Sequence, residues 1–491
     1  MVEILIGIDI GTGSTKAVAY NINNPGIADS SQRFYPTDYQ GDQHEQNPAL
    51  IYDAFQEAFR ELVARLPRHR LAGIVFSSAL HSLIAVDKDG KPLTNCIIWS
   101  DNRSKEQAKN IRQNGQVEEV YYKTGTPVHP MSPLCKIAYI RESMPEVFTK
   151  TYKFISIKSY ILHRLGFPFL VDYSVASATG LFDIEKLAWS PLALELAGIN
   201  TDHLSDPVPT TFQINSNHHE QTKSIGIPEG TPIIIGGGDG PLANLGSLTL
   251  GKGQGCLTLG TSGAMRVTTK QILKDPDRRI FNYIIDDQLY AAGGAVNSGG
   301  IVLRWLQSLF PTNHNGDTGF EELLEKVREV EPGAAGLVFL PWILGERAPV
   351  WETEAKGIYH GVSFQHQQQH FIRAGLEGVC FNLLNISKIM ESLSGKIDEI
   401  NFNGGLAQST FFCQMLADIF KVVIKVTPKV DLSAFGAIIL GLKALGHISD
   451  FNQIPVLNRQ MLAFYPNEKY RQAYEQSFKR FLSLVDANHL Q

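Results

Sequence analysis

Two short segments combine close-approaching backbone with oxygen and nitrogen donors in a way that suits a phosphate. The first is Asp9-Ile10-Gly11-Thr12-Gly13-Ser14-Thr15-Lys16. Its glycines follow an apolar run, so backbone N–H groups there can approach an anion closely. Thr12, Ser14 and Thr15 add hydroxyl donors, and Lys16 adds a positive charge. Asp9, at the end of the run, is placed to hold a hydrated Mg²⁺. The spacing is not that of G-x-x-x-x-G-K-[ST], and a strand rather than a helix follows the glycines, unlike a dinucleotide-binding turn. The second segment is Leu257-Thr258-Leu259-Gly260-Thr261-Ser262-Gly263. Either turn alone also fits an ordinary hairpin of small residues. Two of them facing each other could grip a polyphosphate from both sides, which phosphoryl transfer requires.

Four further segments carry candidate chemistry. In Gly236-Gly237-Gly238-Asp239-Gly240 the carboxylate could take the proton of an attacking hydroxyl, or it could cap the helix that follows. In Asn403-Gly404-Gly405-Leu406-Ala407-Gln408-Ser409 a strand ends in two glycines, leaving a flat surface for an adenine ring or a plain strand-to-helix turn. A polar, aromatic group comprises Leu80-His81-Ser82, Trp99-Ser100-Asp101-Asn102-Arg103, His129, Ser132 and Lys136. Converging donors and acceptors with an aromatic wall suit a polyol. If that polyol carries a carboxylate, Arg103, Lys136 and His81 are the available cations. Gly345-Glu346-Arg347-Ala348-Pro349 reads as a structural Glu–Arg pair.

These segments need rigid elements to position them. Apolar runs predict strands at Glu3–Ile10, Lys16–Tyr20, Leu71–Phe76, Leu83–Val86, Thr231–Gly238, Gly255–Gly260, Leu289–Ala292 and Glu399–Phe402. Helical spacing predicts Pro48–Leu66, with Ile51, Ala54, Phe55, Ala58, Phe59 and Leu62 on one face, and helices at Gly300–Leu309, Gln369–Leu393 and Thr410–Phe420. Strands followed by helices indicate an α/β protein. IDIGTGST at 8–15 and LTLGTSGA at 257–264 read alike, which suggests a duplicated unit with a cleft between lobes. The boundary is expected near 240–252.

The chain has 491 residues, enough for more than one domain, and a formal charge of −5. A balance so near neutral argues against a dedicated nucleic-acid binder. The five cysteines show no metal-ligand spacing, and a disulfide framework is implausible at this size. The N-terminus lacks a basic region and long apolar stretch, and no run of about 18 apolar residues appears. The expectation is a cytoplasmic enzyme that does not bind membranes. Nothing in the sequence fixes an oligomeric state, so a homodimer stays open.

DIGTGSTK, WSDNR, GGGDG, LTLGTSG, LPWILGERAP and NGGLAQS occur in an order that resembles the FGGY carbohydrate kinases. Gly357 to Val362, His370-Phe371 and Ala374 to Glu377 resemble that family's C-terminal signature, departing from it at Gly375. The resemblance implies two actin-like (ribonuclease H-like) ATPase domains with a central cleft, expected at 1–245 and 246–491, and ATP with Mg²⁺ between them. It implies Asp239 as catalytic base and second metal contact. It implies Asp9 as the organiser of Mg²⁺ through water. Thr12 and Lys16 would contact phosphates from one lobe, Gly260 and Thr261 from the other. Gly300, Gly404, Gly405 and Ser409 would line the nucleotide pocket. Leu80, His81, Trp99, Asp101 and Arg103 would bind the sugar. Within the family, His81 to Asp87 and Gly125 to Leu134 look most like the gluconate kinases, implying transfer to the terminal hydroxyl of D-gluconate. Xylulokinases are the close competitor, and an actin-like ATPase without a small-molecule acceptor is the alternative of another class.

Overall fold

The computed structural model describes residues 2–66, 69–216, 220–311, 314, 316–426, 431–454 and 461–489. Its first sheet grows from the hairpin Val2–Ile10 and Ser14–Asn21, in which Asp9 stands opposite Lys16. Gly26–Phe34 extends it on one side. On the other, Val2–Ile10 pairs in parallel with His69–Ser78, which pairs in parallel with Pro232–Gly238. Parallel neighbours need a crossover, and the helix Pro48–Arg65 supplies the first. Asn47 caps it by accepting from the Ala49 N–H at 2.9 Å, and Pro48 occupies the first turn, where its missing N–H costs nothing. The predicted apolar face is the buried one, with Phe55, Phe59 and Leu62 fully enclosed.

The second sheet repeats this pattern. Gln254–Leu259 pairs antiparallel with Gly263–Thr269 and parallel with Glu399–Gly404, which pairs parallel with Val423–Val426. Tyr290–Val296 flanks the hairpin. The strand order 26–34, 14–21, 2–10, 69–78, 232–238 thus reappears as 290–296, 263–269, 254–259, 399–404, 423–426. The short sequence repeat is one trace of a duplicated sheet. The other strands and helices lie where periodicity puts them with shifted ends; Leu71–Phe76 becomes His69–Ser78, Leu289–Ala292 becomes Tyr290–Val296, Leu83–Val86 shortens to Ile84–Val86 and Gln369–Leu393 becomes Gln368–Ser394. Gly375 makes room for packing, since a Cβ there would meet Leu306 Cδ1 at 2.7 Å.

Two helices join the lobes. Asp239–Gly246 crosses Leu432–Ala444 so closely that a Cβ on Gly246 would lie 2.1 Å from the Leu432 carbonyl oxygen. One on Gly436 would lie 1.8 Å from that of Leu242. Leu432–Ala444 follows the second sheet's parallel strands in sequence, yet it covers the first sheet. Gly441 faces Leu5 and Val75, and Gly7 faces the Ala434 carbonyl. Leu5, Val75, Ile234, Leu242, Ile438 and Leu442 form one buried cluster there. Among the described residues, no helix is long and apolar enough to cross a membrane, and all five cysteines are buried and free.

Candidate active site

The first turn sits at the end of the Val2–Ile10 strand, closed by the Gly11 N–H on the Ser14 carbonyl at 3.0 Å. Behind it, Ser77 Oγ donates to Asp9 Oδ1 at 2.6 Å. Lys16 Nζ donates to Asp431 Oδ2 at 2.6 Å, and Asp431 also caps Leu432–Ala444 through the Ala434 N–H at 3.0 Å. Burial, and then the nearby carboxylates of Asp431 and Asp239, hold the Asp9 carboxyl well above the usual range. Burial works against the charge of Lys16, but the Asp431 carboxylate outweighs it and lifts the ammonium above its ordinary value. Sequence reading missed Asp431. Its one local signal is the helix-capping position before Leu432, and its partner lies 415 residues away.

The glycine run delivers Asp239 into the cleft. Gly236 has φ +73°, and a Cβ there would lie 1.7 Å from the Phe76 carbonyl oxygen, so only glycine fits. Lys158 Nζ holds the Gly237 carbonyl at 2.9 Å and Asp172 at 2.6 Å, while the Gly238 N–H donates to Ser174 Oγ at 3.1 Å. Gly238, not Asp239, occupies the cap position of the next helix. Asp239 is that helix's first residue, and its Oδ1 accepts from the Gly240 N–H at 2.7 Å. Burial raises its pKa, while the Gly240 N–H and then Arg266 pull the other way.

Asp239 opens on a cavity of about 240 Å³ that Thr12 of the first turn and Ser262 of the second both line. The two turns therefore meet at this carboxylate. Leu80, His81, Trp99, Tyr283, Arg266 and Arg347 complete most of the wall. Trp99 Nε1 donates to Thr12 Oγ1 at 3.0 Å, which ties this wall to the first turn. His81 has φ +64° and faces Tyr283 edge-on, 3.3 Å from its hydroxyl. Burial, then the cations Lys136 and Arg347, push His81 down to about 3, so it is neutral near pH 7.

Three expected sugar contacts or cations lie elsewhere. Asp101 is fully buried and accepts from the His44 N–H at 2.7 Å. Arg103 is taken up by Asp101 at 2.8 Å and Glu45 at 2.7 Å, with its side chain 6% exposed. Lys136 donates to the carbonyls of His81 at 2.6 Å, Ile98 at 2.8 Å and Ile97 at 3.3 Å, and burial pushes it down to about 8. These side chains brace the loops that carry His81 and Trp99, and none of them lines the cavity. His129 packs against Trp351, and Ser132 precedes the helix Pro133–Ser143. The expected Glu346–Arg347 pair is also corrected. Glu346 accepts from Ser298 Oγ at 2.6 Å, Asn382 Nδ2 at 2.9 Å and its neighbour's N–H, and the Arg347 guanidinium turns to the cavity instead. Arg266 went unnoticed because it lies inside a strand. Its signal is the two-residue alternation that puts it on the face of Ala264, which also lines the cavity.

On the other side of the second turn a groove of about 860 Å³ is lined by Gly260, Thr261, Gly300, Arg304, Gly405 and Ser409, among others. The Gly300 N–H holds the Gly260 carbonyl at 2.7 Å, and Arg304 Nη2 donates to Thr261 Oγ1 at 2.7 Å. Gly404 has φ +127°, and a Cβ on it would strike the Leu259 carbonyl at 2.0 Å. A second groove of about 800 Å³ continues past Gly404 and Gly405 to Lys16 and Asp431.

Family models match both halves of the chain. Residues 4–246 match the N-terminal domain of the FGGY family of carbohydrate kinases, and residues 255–445 match its C-terminal domain. The chain belongs to the FGGY family of carbohydrate kinases. It is 39% identical to the gluconokinase of Bacillus subtilis (strain 168) over 99% of this chain and 96% of that one. Among solved structures it resembles a gluconate kinase from Lactobacillus acidophilus, with TM-score 0.93, 33% identity and coverage of 100% and 99% of the two chains. A ligand-bound xylulose kinase structure from the same organism matches with TM-score 0.93 and 33% identity, over 99% and 98%. This carbohydrate kinase thus has the two-domain actin-like ATPase fold that the duplicated sheets describe.

Proposed function

We propose that the kinase transfers the terminal phosphoryl group of ATP to the terminal hydroxyl of D-gluconate. The observation that carries this reading is the 240 Å³ cavity, in which Asp239 is joined by residues of both turns and by two arginines. The 39% identity to a gluconokinase supports the same substrate. An actin-like ATPase without an acceptor has no use for such a cavity.

In this reading Asp239 accepts the proton of the attacking hydroxyl. A base whose pKa is raised toward the working pH is better matched to that transfer than an ordinary aspartate. The Gly11–Gly13 and Gly260–Ser262 turns offer backbone N–H groups, with the hydroxyls of Thr12 and Thr261, to phosphate oxygens. Lys16 leaves Asp431 for the incoming negative charge. Gly300, Gly404, Gly405 and Ser409 hold the nucleoside. Leu80, His81, Trp99 and Tyr283 shape the acceptor site and keep out water, the competing nucleophile.

The residues present fit Mg²⁺. Asp9, Asp239 and Asp431 are hard oxygen donors, and burial, then repulsion from the other two carboxylates, raises the Asp9 pKa. Mg²⁺ usually keeps several waters and binds through one or two carboxylates together with substrate phosphates. When bound it neutralises charge on the transferring group, and Asp9, through water, and Asp239 would face it. ATP as donor goes with residence in the cytoplasm.

A coupled ADP-release assay across aldonates and ketoses tests the reading. D-gluconate is the expected acceptor, whereas turnover of D-xylulose without D-gluconate overturns it. The xylulose kinase structure makes that ketose the second reading.

A further inference from the structure

We propose that the guanidinium groups of Arg266 and Arg347 together bind the carboxylate of the acceptor and set the preference for an acid over a neutral polyol. The inference rests on the reading of this cavity as the site of an aldonate.

Both arginines line the cavity that Asp239 opens on. Asp239 is the one acid in that lining. With His81 neutral, the wall carries more positive than negative charge before any substrate arrives. Neither arginine forms an ion pair with a described residue. The buried Nε–H of each has no hydrogen-bond acceptor. Buried donors are nearly always satisfied, and two unpartnered guanidinium Nε–H groups on the wall of one cavity call for an anion from outside. A carboxylate matches the planar fork of a guanidinium edge, which a ketose or an alcohol does not.

Other contacts anchor each side chain, so the unpartnered Nε–H groups are held in place. Arg347 lies over the Trp99 ring at 4.6 Å, and its Nη2 donates to the Val296 carbonyl at 2.9 Å. Arg266 Nη1 reaches Thr258 Oγ1 at 3.3 Å. Its other terminal nitrogen fills the space that Gly240 leaves, since a Cβ there would sit 3.2 Å from Arg266 Nη2. Burial pushes Arg347 down to about 10; the neighbouring Glu346 carboxylate opposes that push, and Arg266 adds to it as a like charge. An anion between them would reverse the strain.

The test compares kcat/KM for D-gluconate and for D-gluconamide, its neutral isostere, in the wild type and in Arg266→Met, Arg347→Met and the two Lys variants. The wild type should prefer the acid by roughly 10²–10³-fold, the scale of a buried charge pair left unmatched. Each Met variant should shrink that ratio by at least about tenfold. Arg266→Lys and Arg347→Lys, which keep the charge but lose the fork, should fall between. Titration of the nucleotide-free variants with D-gluconate gives the same comparison without turnover. Met variants that keep the wild-type ratio, or that lose both substrates equally, overturn the inference while gluconate kinase activity stands. A wild type that uses gluconate and gluconamide alike does the same. A wild type that phosphorylates neutral sugars and ignores acids sinks the functional reading itself.

Discussion

The two turns are copies of one backbone device with unlike side chains. Each follows the strand that pairs antiparallel with its hairpin partner and parallel with a distant strand. Asp9 in the first corresponds to Thr258 in the second, and Lys16, opposite Asp9, corresponds to Ala264, opposite Thr258. The second loop is also one residue shorter, closing Leu259 on Gly263 where the first closes Ile10 on Thr15. Duplication has thus kept the N–H donors at both turns and left the ionised groups at one. The first turn handles charge, while the second contributes its amides and one face of the acceptor cavity. Arg266, two residues beyond Ala264 along the same strand, returns a cation to the neutral copy, aimed at the acceptor cavity.

That division of labour can be broken at graded points. Asp239→Asn, which keeps the acceptor for the Gly240 N–H, should lower kcat by roughly 10²–10⁴-fold with an unchanged melting temperature. Near-normal turnover would remove Asp239 from the base role. The acid limb of the kcat/KM profile should lie above the ordinary aspartate range near 4, because the base works ionised and burial raises its pKa. Activity would then fall about tenfold per pH unit below that limb, and a profile flat down to pH 4 would contradict it. Lys16→Met should cost on the order of 10–10²-fold in kcat/KM for ATP, whereas Ala264→Lys at the equivalent position of the neutral hairpin should not restore it. Rescue would mean that the copies are interchangeable. At the joining helices, Gly436→Ala should destabilise by about 1–3 kcal/mol in thermal unfolding, because the new methyl meets backbone rather than a movable side chain. The smallest effect belongs to Asp431→Ala, which removes a helix cap worth about 1 kcal/mol. A larger loss of stability there would mean that the ion pair with Lys16 supports the fold.

What the sequence disclosed was local. A strand running into Gly-Thr, or into three glycines and an aspartate, carries its geometry in adjacent residues, so both turns and Asp239 were legible. The helical face of Pro48–Arg65 was legible for the same reason, through its 3.6-residue repeat. Partnerships across the chain were not. Arg103 and Lys136 looked available because they sit in polar segments, yet Glu45 and three carbonyl groups had already claimed them. Arg347 looked paired because an acid precedes it, yet Ser298 and Asn382 occupy that acid. Identity of neighbours in sequence says little about which of two adjacent charges faces a cavity, and that is decided by packing.

The helix Leu432–Ala444 has one more consequence. Because it returns to lie on the opposite lobe, a polypeptide ending near residue 250 would leave Leu5, Val75 and Ile234 bare to water. The amino-terminal half alone cannot bury that face, and during synthesis its sheet must wait for almost the whole chain to emerge before its second face is sealed.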